Sequence, residues 1–162
     1  MKTQKVLFIL VLVILQACVP YSDLAKTMPG NTSEEIPLNA YKIIVTNDST
    51  LFDNYTKCYT ILVSHDFRIE SDNKEMGYIL ASKKYDDTSV RMNIKCDNNS
   101  IAITGEWKLG SKTANTTSYL LSTNITYDWE RAQWNKKADF PSATFSKMVQ
   151  FALDLGDSLM YK

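Results

Sequence analysis

Between Val90 and Leu109 apolar and polar residues alternate almost without interruption, which ties this stretch to a sheet with two unlike faces. Val90, Met92, Ile94 and Cys96 take one side, and Arg91, Asn93, Lys95 and Asp97 the other. After Asn98-Asn99, the residues Ile101, Ile103, Trp107 and Leu109 alternate with Ala102, Thr104, Glu106 and Lys108. Successive strand side chains point to opposite faces, so a period of two builds one apolar and one wet surface. Two asparagines suit a tight turn that needs positive φ. The spacing therefore predicts a β-hairpin whose apolar face must be covered by another part of the chain.

Two helical patterns can supply that cover. Asp53 follows Thr50 by three residues, close to a capping box. Phe52, Tyr55, Tyr59 and Leu62 then recur at spacings of three and four, with Cys58 on the same face. After Pro141, with Ser142 near the start, the residues Phe145, Met148, Val149, Ala152, Leu155 and Leu159 make a second stripe. Further strands are expected over Tyr41 to Thr46, Phe67 to Ser71 and Met76 to Tyr85, and around Tyr119, Leu121, Ile125 and Tyr127. The order is roughly β-α-β-β-β-β-β-α. It predicts an α+β domain, an antiparallel meander sheet covered on one face by two amphipathic helices, with the other face wet or used for binding.

At the amino terminus Lys2 and Lys5, the apolar run from Val6 to Leu15 and the small Ala17 form the three zones of an export signal. Leu15-Gln16-Ala17-Cys18 fits a bacterial lipoprotein signal. Residues 1–17 are expected to be removed and Cys18 to carry the lipid, because a thiolate is a strong nucleophile at modest pKa. Each buried methylene contributes about 0.8 kcal/mol, so two or three acyl chains make a stable anchor. The apolar run is shorter than the roughly 20 residues that a spanning helix needs. Residues 18–39, polar and broken by Pro20, Pro29, Gly30 and Pro37, read as a flexible tether, and 40–162 as a single domain. An ordinary secretory signal is the alternative. Asn31, Asn47, Asn54, Asn98, Asn115 and Asn124 would then be glycan acceptors of a secreted, host-interacting protein.

Ser64-His65-Asp66-Phe67, Ile69-Glu70-Ser71-Asp72 and Gly77-Tyr78-Ile79-Leu80-Ala81 together resemble small envelope lipoproteins with TATA-binding-protein-like domains, notably those of Bacteroidetes. The resemblance covers roughly Tyr41 to Leu109. It implies a helix-covered sheet and an envelope location, and it transfers no activity. Asp48-Ser49-Thr50 and Asp157-Ser158-Leu159 are similar to the O-glycosylation acceptors of that group. Val19-Pro20-Tyr21-Ser22-Asp23 matches poorly the acidic signal of its surface-exposed lipoproteins, which favours an outer-membrane protein facing the periplasm.

Eighteen basic side chains balance eighteen acidic ones, with no long run of either sign along the chain. Nothing in that pattern points to nucleic acid, which calls for a clustered basic face. Cys58 and Cys96 both point inward, and in an export compartment they are open to two states, a disulfide or two buried free thiols. His65 is the only histidine and stands beside Asp66 at the end of the first helix. It reads as a helix-terminal residue, with a general base oriented by Asp66 as the alternative. One histidine and scattered cysteines make no zinc set, and no cofactor or metal is expected. Carboxylate pairs such as Asp86-Asp87 read as turn residues, and no nucleophile elbow or phosphate loop occurs. Trp129 and Trp134, outside the clear strands, are the candidates for an exposed binding surface. The expected function is a non-enzymatic, lipid-anchored binding or assembly accessory whose partner is another envelope protein or a glycan. A small envelope hydrolase is the alternative.

Overall fold

A computed structural model describes residues 36–85, 88–109, 128–137, 139–156 and 158–162. The elements run in the order β1 (Lys42–Thr46), α1 (Leu51–Ser64), β2 (Arg68–Asn73), β3 (Tyr78–Tyr85), β4 (Thr88–Asp97), β5 (Ser100–Leu109), β6 (Glu130–Arg131), α2 (Phe140–Leu155) and β7 (Leu159–Tyr161). The strands form an antiparallel sheet in the order β2-β3-β4-β5-β1-β7, with β6 paired to β5 beyond the end of β1. Both helices lie on one face, as the amphipathic patterns predict: α1 packs over β2 to β5, and α2 over β5 and β1. The fold is α+β, and among the described residues no helix covers the other side of the sheet.

Register brings the apolar side chains into line. Ile43, Ile103, Ile94 and Ile79 are paired across four neighbouring strands and are fully buried. Each contributes about 1.5–3 kcal/mol through burial. Cys96 and Val90 share this inward face, and so does Trp107. The Asn98-Asn99 turn is present, with positive φ at Asn99 alone. Its position also explains where α1 begins. The Asn98 side-chain oxygen accepts from the Leu51 N–H, and the Thr50 hydroxyl oxygen accepts from the Asp53 N–H. Two of the orphan donors of the first turn are thereby satisfied.

The buried stripe of α1 is Tyr55, Cys58 and Leu62 together with Asn54, whereas Phe52 and Tyr59 are exposed. Asn54 belongs inside because its side-chain N–H groups reach the Asp97 carbonyl and the Asn47 side-chain oxygen, which satisfies a buried polar group. In α2, Phe145, Met148, Val149, Ala152 and Leu155 are buried as predicted. Leu159 is not part of that helix. The helix stops at Leu155 before Gly156, and Leu159 opens β7, where the first and last described strands pair: Val45 with Leu159 and Ile43 with Tyr161.

Residues 36–39, read from the sequence as part of a tether, belong to the packed structure. Ile36 and Ala40 are almost wholly buried in the core, and the Asn39 N–H donates to the Trp134 carbonyl. The strand expected around 119–127, the leader, Cys18 and Asp86-Asp87 lie outside the described residues.

Gly77 marks the tightest backbone approach. It has φ +64, and a Cβ there would lie 2.3 Å from the Cys96 carbonyl oxygen. Left-handed backbone and that clash together predict that Gly77→Ala costs about 2–3 kcal/mol, read as a lowered urea midpoint. An unchanged midpoint would contradict this packing.

Tyr55 links α1 to the sheet through a hydrogen bond to the Asp72 carboxylate. Burial, and then that hydrogen bond, push its phenol up to about 12. A raised native value means that the contribution is present in full below the unfolded value near 10. It is lost as pH rises toward 12. Stability should therefore fall between pH 10 and 12, and Tyr55→Phe should remove that part of the slope in alkaline urea titrations.

Candidate binding face

Residues paired directly across an antiparallel ladder share a face, so the register also defines the side away from the helices. One transverse row there reads Arg68, Ser82, Arg91, Glu106, Arg131. The next reads Lys84, Ser89, Lys108. Lys42 and Lys95 lie on the same face through their pairing with Thr104 and Ala102. Among the paired strand residues, seven cations thus meet two carboxylates, Glu106 and Asp97. The whole chain carries no net charge, so folding has sorted cations onto one surface.

The three arginines stand on alternate strands, which sets them roughly 10 Å apart along the row. Glu106 accepts from both Nε and Nη2 of Arg91 on a single carboxylate oxygen, at 2.8 and 2.6 Å. This holds the guanidinium flat on the sheet. Trp129 lies against it, with Arg91 Cζ 4.3 Å and Lys108 Nζ 4.6 Å from its ring centre, while Arg131 Cζ is 4.8 Å from the Tyr41 ring. Such contacts contribute about 0.5–1 kcal/mol each at exposed sites. Their larger effect here is to fix the direction of long cationic side chains. The surface can hold an anion without first ordering its own ligands.

Of the two tryptophans expected to be exposed, Trp129 is half-buried on the side away from the helices, against Arg91 and Lys108. Trp134 is fully buried, its ring centre 6.4 Å from Phe145, because β6 is short and the chain turns back beneath α2. Spacing along an irregular segment carries no information about which side chains turn in. Sequence reasoning also missed the cationic face itself. The alternation of β4 and β5 marked Arg91, Lys95 and Lys108 as outward, but the pairing of Arg68 and Arg131 with that row is a matter of register across five strands.

Cys58 and Cys96 are brought together at an Sγ–Sγ distance of 3.7 Å, both fully buried and both free thiols. The S–H···S contact and burial push the Cys58 thiol up. His65 caps α1, but its partner is not Asp66. Its Nε2 is 3.5 Å from Asp154 of α2, while Asp66 lies 3.7 Å from Lys83 Nζ. The adjoining cavity is lined by Lys83, Tyr85, Lys147 and Gln150 with three apolar residues, and no Ser, Thr or Cys is among its described walls. Among the described residues no helix is long and apolar enough to cross a membrane.

No family profile and no curated protein matches the chain. Among solved structures it is similar to a TBP-like protein from Parabacteroides distasonis, at 15% identity and a TM-score of 0.43, over 72% of this chain and 88% of that one. It is also similar to a DUF4468 family protein from Bacteroides ovatus, at 11% identity and a TM-score of 0.37, over 80% and 88%. The likeness is loose, and the architecture described above rests on the register and packing of this chain.

Proposed function

We propose that this is a non-catalytic, lipid-anchored protein of a bacterial cell envelope, held through Cys18 and binding an acidic envelope polysaccharide with its open sheet face. The observation that carries the binding reading is the sorting of seven cations against two carboxylates onto that face in a chain of zero net charge, with Trp129 and Tyr41 among them. A flat, charged, aromatic surface suits an extended polymer better than a small substrate. Carboxylates met at intervals of roughly 10 Å along a row of arginines call for a sparsely charged chain, whereas a nucleic-acid strand presents one phosphate every 3.4 Å or so. The leader and the tetrapeptide ending in Cys18 support the anchor and the address.

Two measurements test the two parts. Intact mass of protein extracted from native membranes should show acyl chains on Cys18, and an unmodified Cys18 on a chain carrying N-glycans would overturn the anchor. Hyaluronate, which carries one carboxylate per disaccharide, should bind and be released by salt, while neutral dextran should not bind. The double substitution Arg131→Glu with Lys108→Glu should weaken binding at least tenfold while lowering the melting temperature by only several degrees, the cost of two cation–π contacts. Equal binding of dextran would sink the polyanion reading.

A further inference from the structure

On the other side of the sheet, away from the open face, two adjoining cavities of about 240 and 210 Å³ share Tyr85 and Lys147. They arise because α1 crosses the sheet toward the Cys96 end of β4, while α2 covers β5 and β1. The far end of the β3–β4 pair is left with a gap beneath α2. One face of that helix, running from Phe140 through Ala143 and Lys147 to Phe151, forms one wall over roughly 16 Å at 1.5 Å per residue. Together the two cavities reach the roughly 300–1,000 Å³ of ordinary ligand sites.

The two ends differ in chemistry. Val90, Phe140 and Ala143 make one end apolar, and Phe140 is itself stacked on Trp107 at 5.2 Å. At the other end Lys83 and Lys147, from opposite walls, lie 5.6 and 5.9 Å from the centre of the same Tyr85 ring. Lys83 is held there by donating to the His65 carbonyl at 2.7 Å, with exposed Asp66 3.7 Å from its Nζ, and the His65–Asp154 pair links α1 to α2 behind it. Two amines that line one cavity beside the same ring make a seat for an anion, and the apolar stretch beyond them has room for a hydrocarbon chain.

We propose that this groove binds a single-chain amphiphile with a carboxylate head, of the fatty-acid class, the head between Lys83 and Lys147 and the tail toward Val90 and Phe140. The seat is amphiphilic by charge complementarity at one end and apolar burial at the other. Each methylene placed in the apolar half should tighten binding about fourfold. Affinity should therefore grow steeply with chain length, and a short carboxylate should bind poorly.

The test uses the full chain in phosphatidylcholine vesicles, labelled with a photoreactive diazirine dodecanoate and mapped by peptide mass spectrometry. The expected result is saturable labelling of peptides spanning Phe140 to Phe151 and Thr88 to Met92. Excess dodecanoate should suppress it, and acetate at the same concentration should not. Lys147→Glu, at an exposed position, should lower it at least fivefold, and so should Ala143→Trp, which fills the groove. Arg131→Glu on the open face should leave it unchanged. No saturable labelling of these peptides, equal labelling by the quaternary-ammonium analogue, or equal labelling in Lys147→Glu would overturn the proposal.

Discussion

Trp134→Ala should lower the unfolding free energy by about 3–5 kcal/mol, a large share of the 5–15 kcal/mol that holds a typical domain together. The indole is fully buried and is the largest such side chain among the described residues. It lies between the segment that carries Ile36 and Ala40 and the apolar face of α2, where its ring meets Phe145. Truncation removes the transfer energy of the ring and leaves a cavity that the backbone cannot close. Two hydrogen bonds fix that backbone, Trp134 N–H to the Ala40 carbonyl and Asn39 N–H to the Trp134 carbonyl. Equilibrium unfolding in urea measures the loss. Trp129→Ala serves as the contrast, since loss of its half-buried ring and two cation–π contacts should lower the unfolding free energy by only about 1–2 kcal/mol while weakening polyanion binding. Equal losses for the two variants would show that the buried and half-buried assignments are mistaken.

Oxidative refolding should join Cys58 to Cys96 and raise stability by about 4 kcal/mol, the chain-entropy value for a loop of this size. The two residues are 38 apart in sequence, one on the covering helix and one on the sheet beneath it. Their sulfurs need only close from 3.7 Å to bonding distance. In the native state both thiols are sealed from solvent, so oxidants should act on them slowly. The bond should form during folding, when the thiols are still accessible. A protein refolded in a glutathione redox buffer should lose two titratable thiols and gain a higher urea midpoint that reductant abolishes. Cys96→Ser should show neither effect. Two thiols still reactive in denaturant after oxidative refolding would count against the pair.

Local patterns carried much of this fold. The alternation of Val90 to Leu109, the Thr50–Asp53 cap and the stripe from Phe145 to Leu155 each depend on neighbours within a few residues, and each stands in the structure where its period places it. The misplaced elements are those whose fate is set at a distance. Leu159 continues a helical spacing, but pairing with Val45 draws it into β7. Phe52 and Tyr59 fit a helical period, yet the narrow contact of α1 with the sheet takes Asn54 instead because a carbonyl from β4 awaits it.

The binding face shows the same division. Each cation on it is dispersed in sequence, and no charge run announces the cluster. By itself the sequence determined which residues of β4 and β5 face away from the core, because side-chain direction along a strand is local. It likewise determined that Cys58 and Cys96 point inward, from the helical and strand periods. Only the tertiary structure decided that Arg68, Arg91 and Arg131 fall in one row, that Trp129 lies on that row while Trp134 is buried, and that two lysines meet across Tyr85. Register and layer packing join residues far apart in the chain, and those distances are set by the whole sheet rather than by any segment of it.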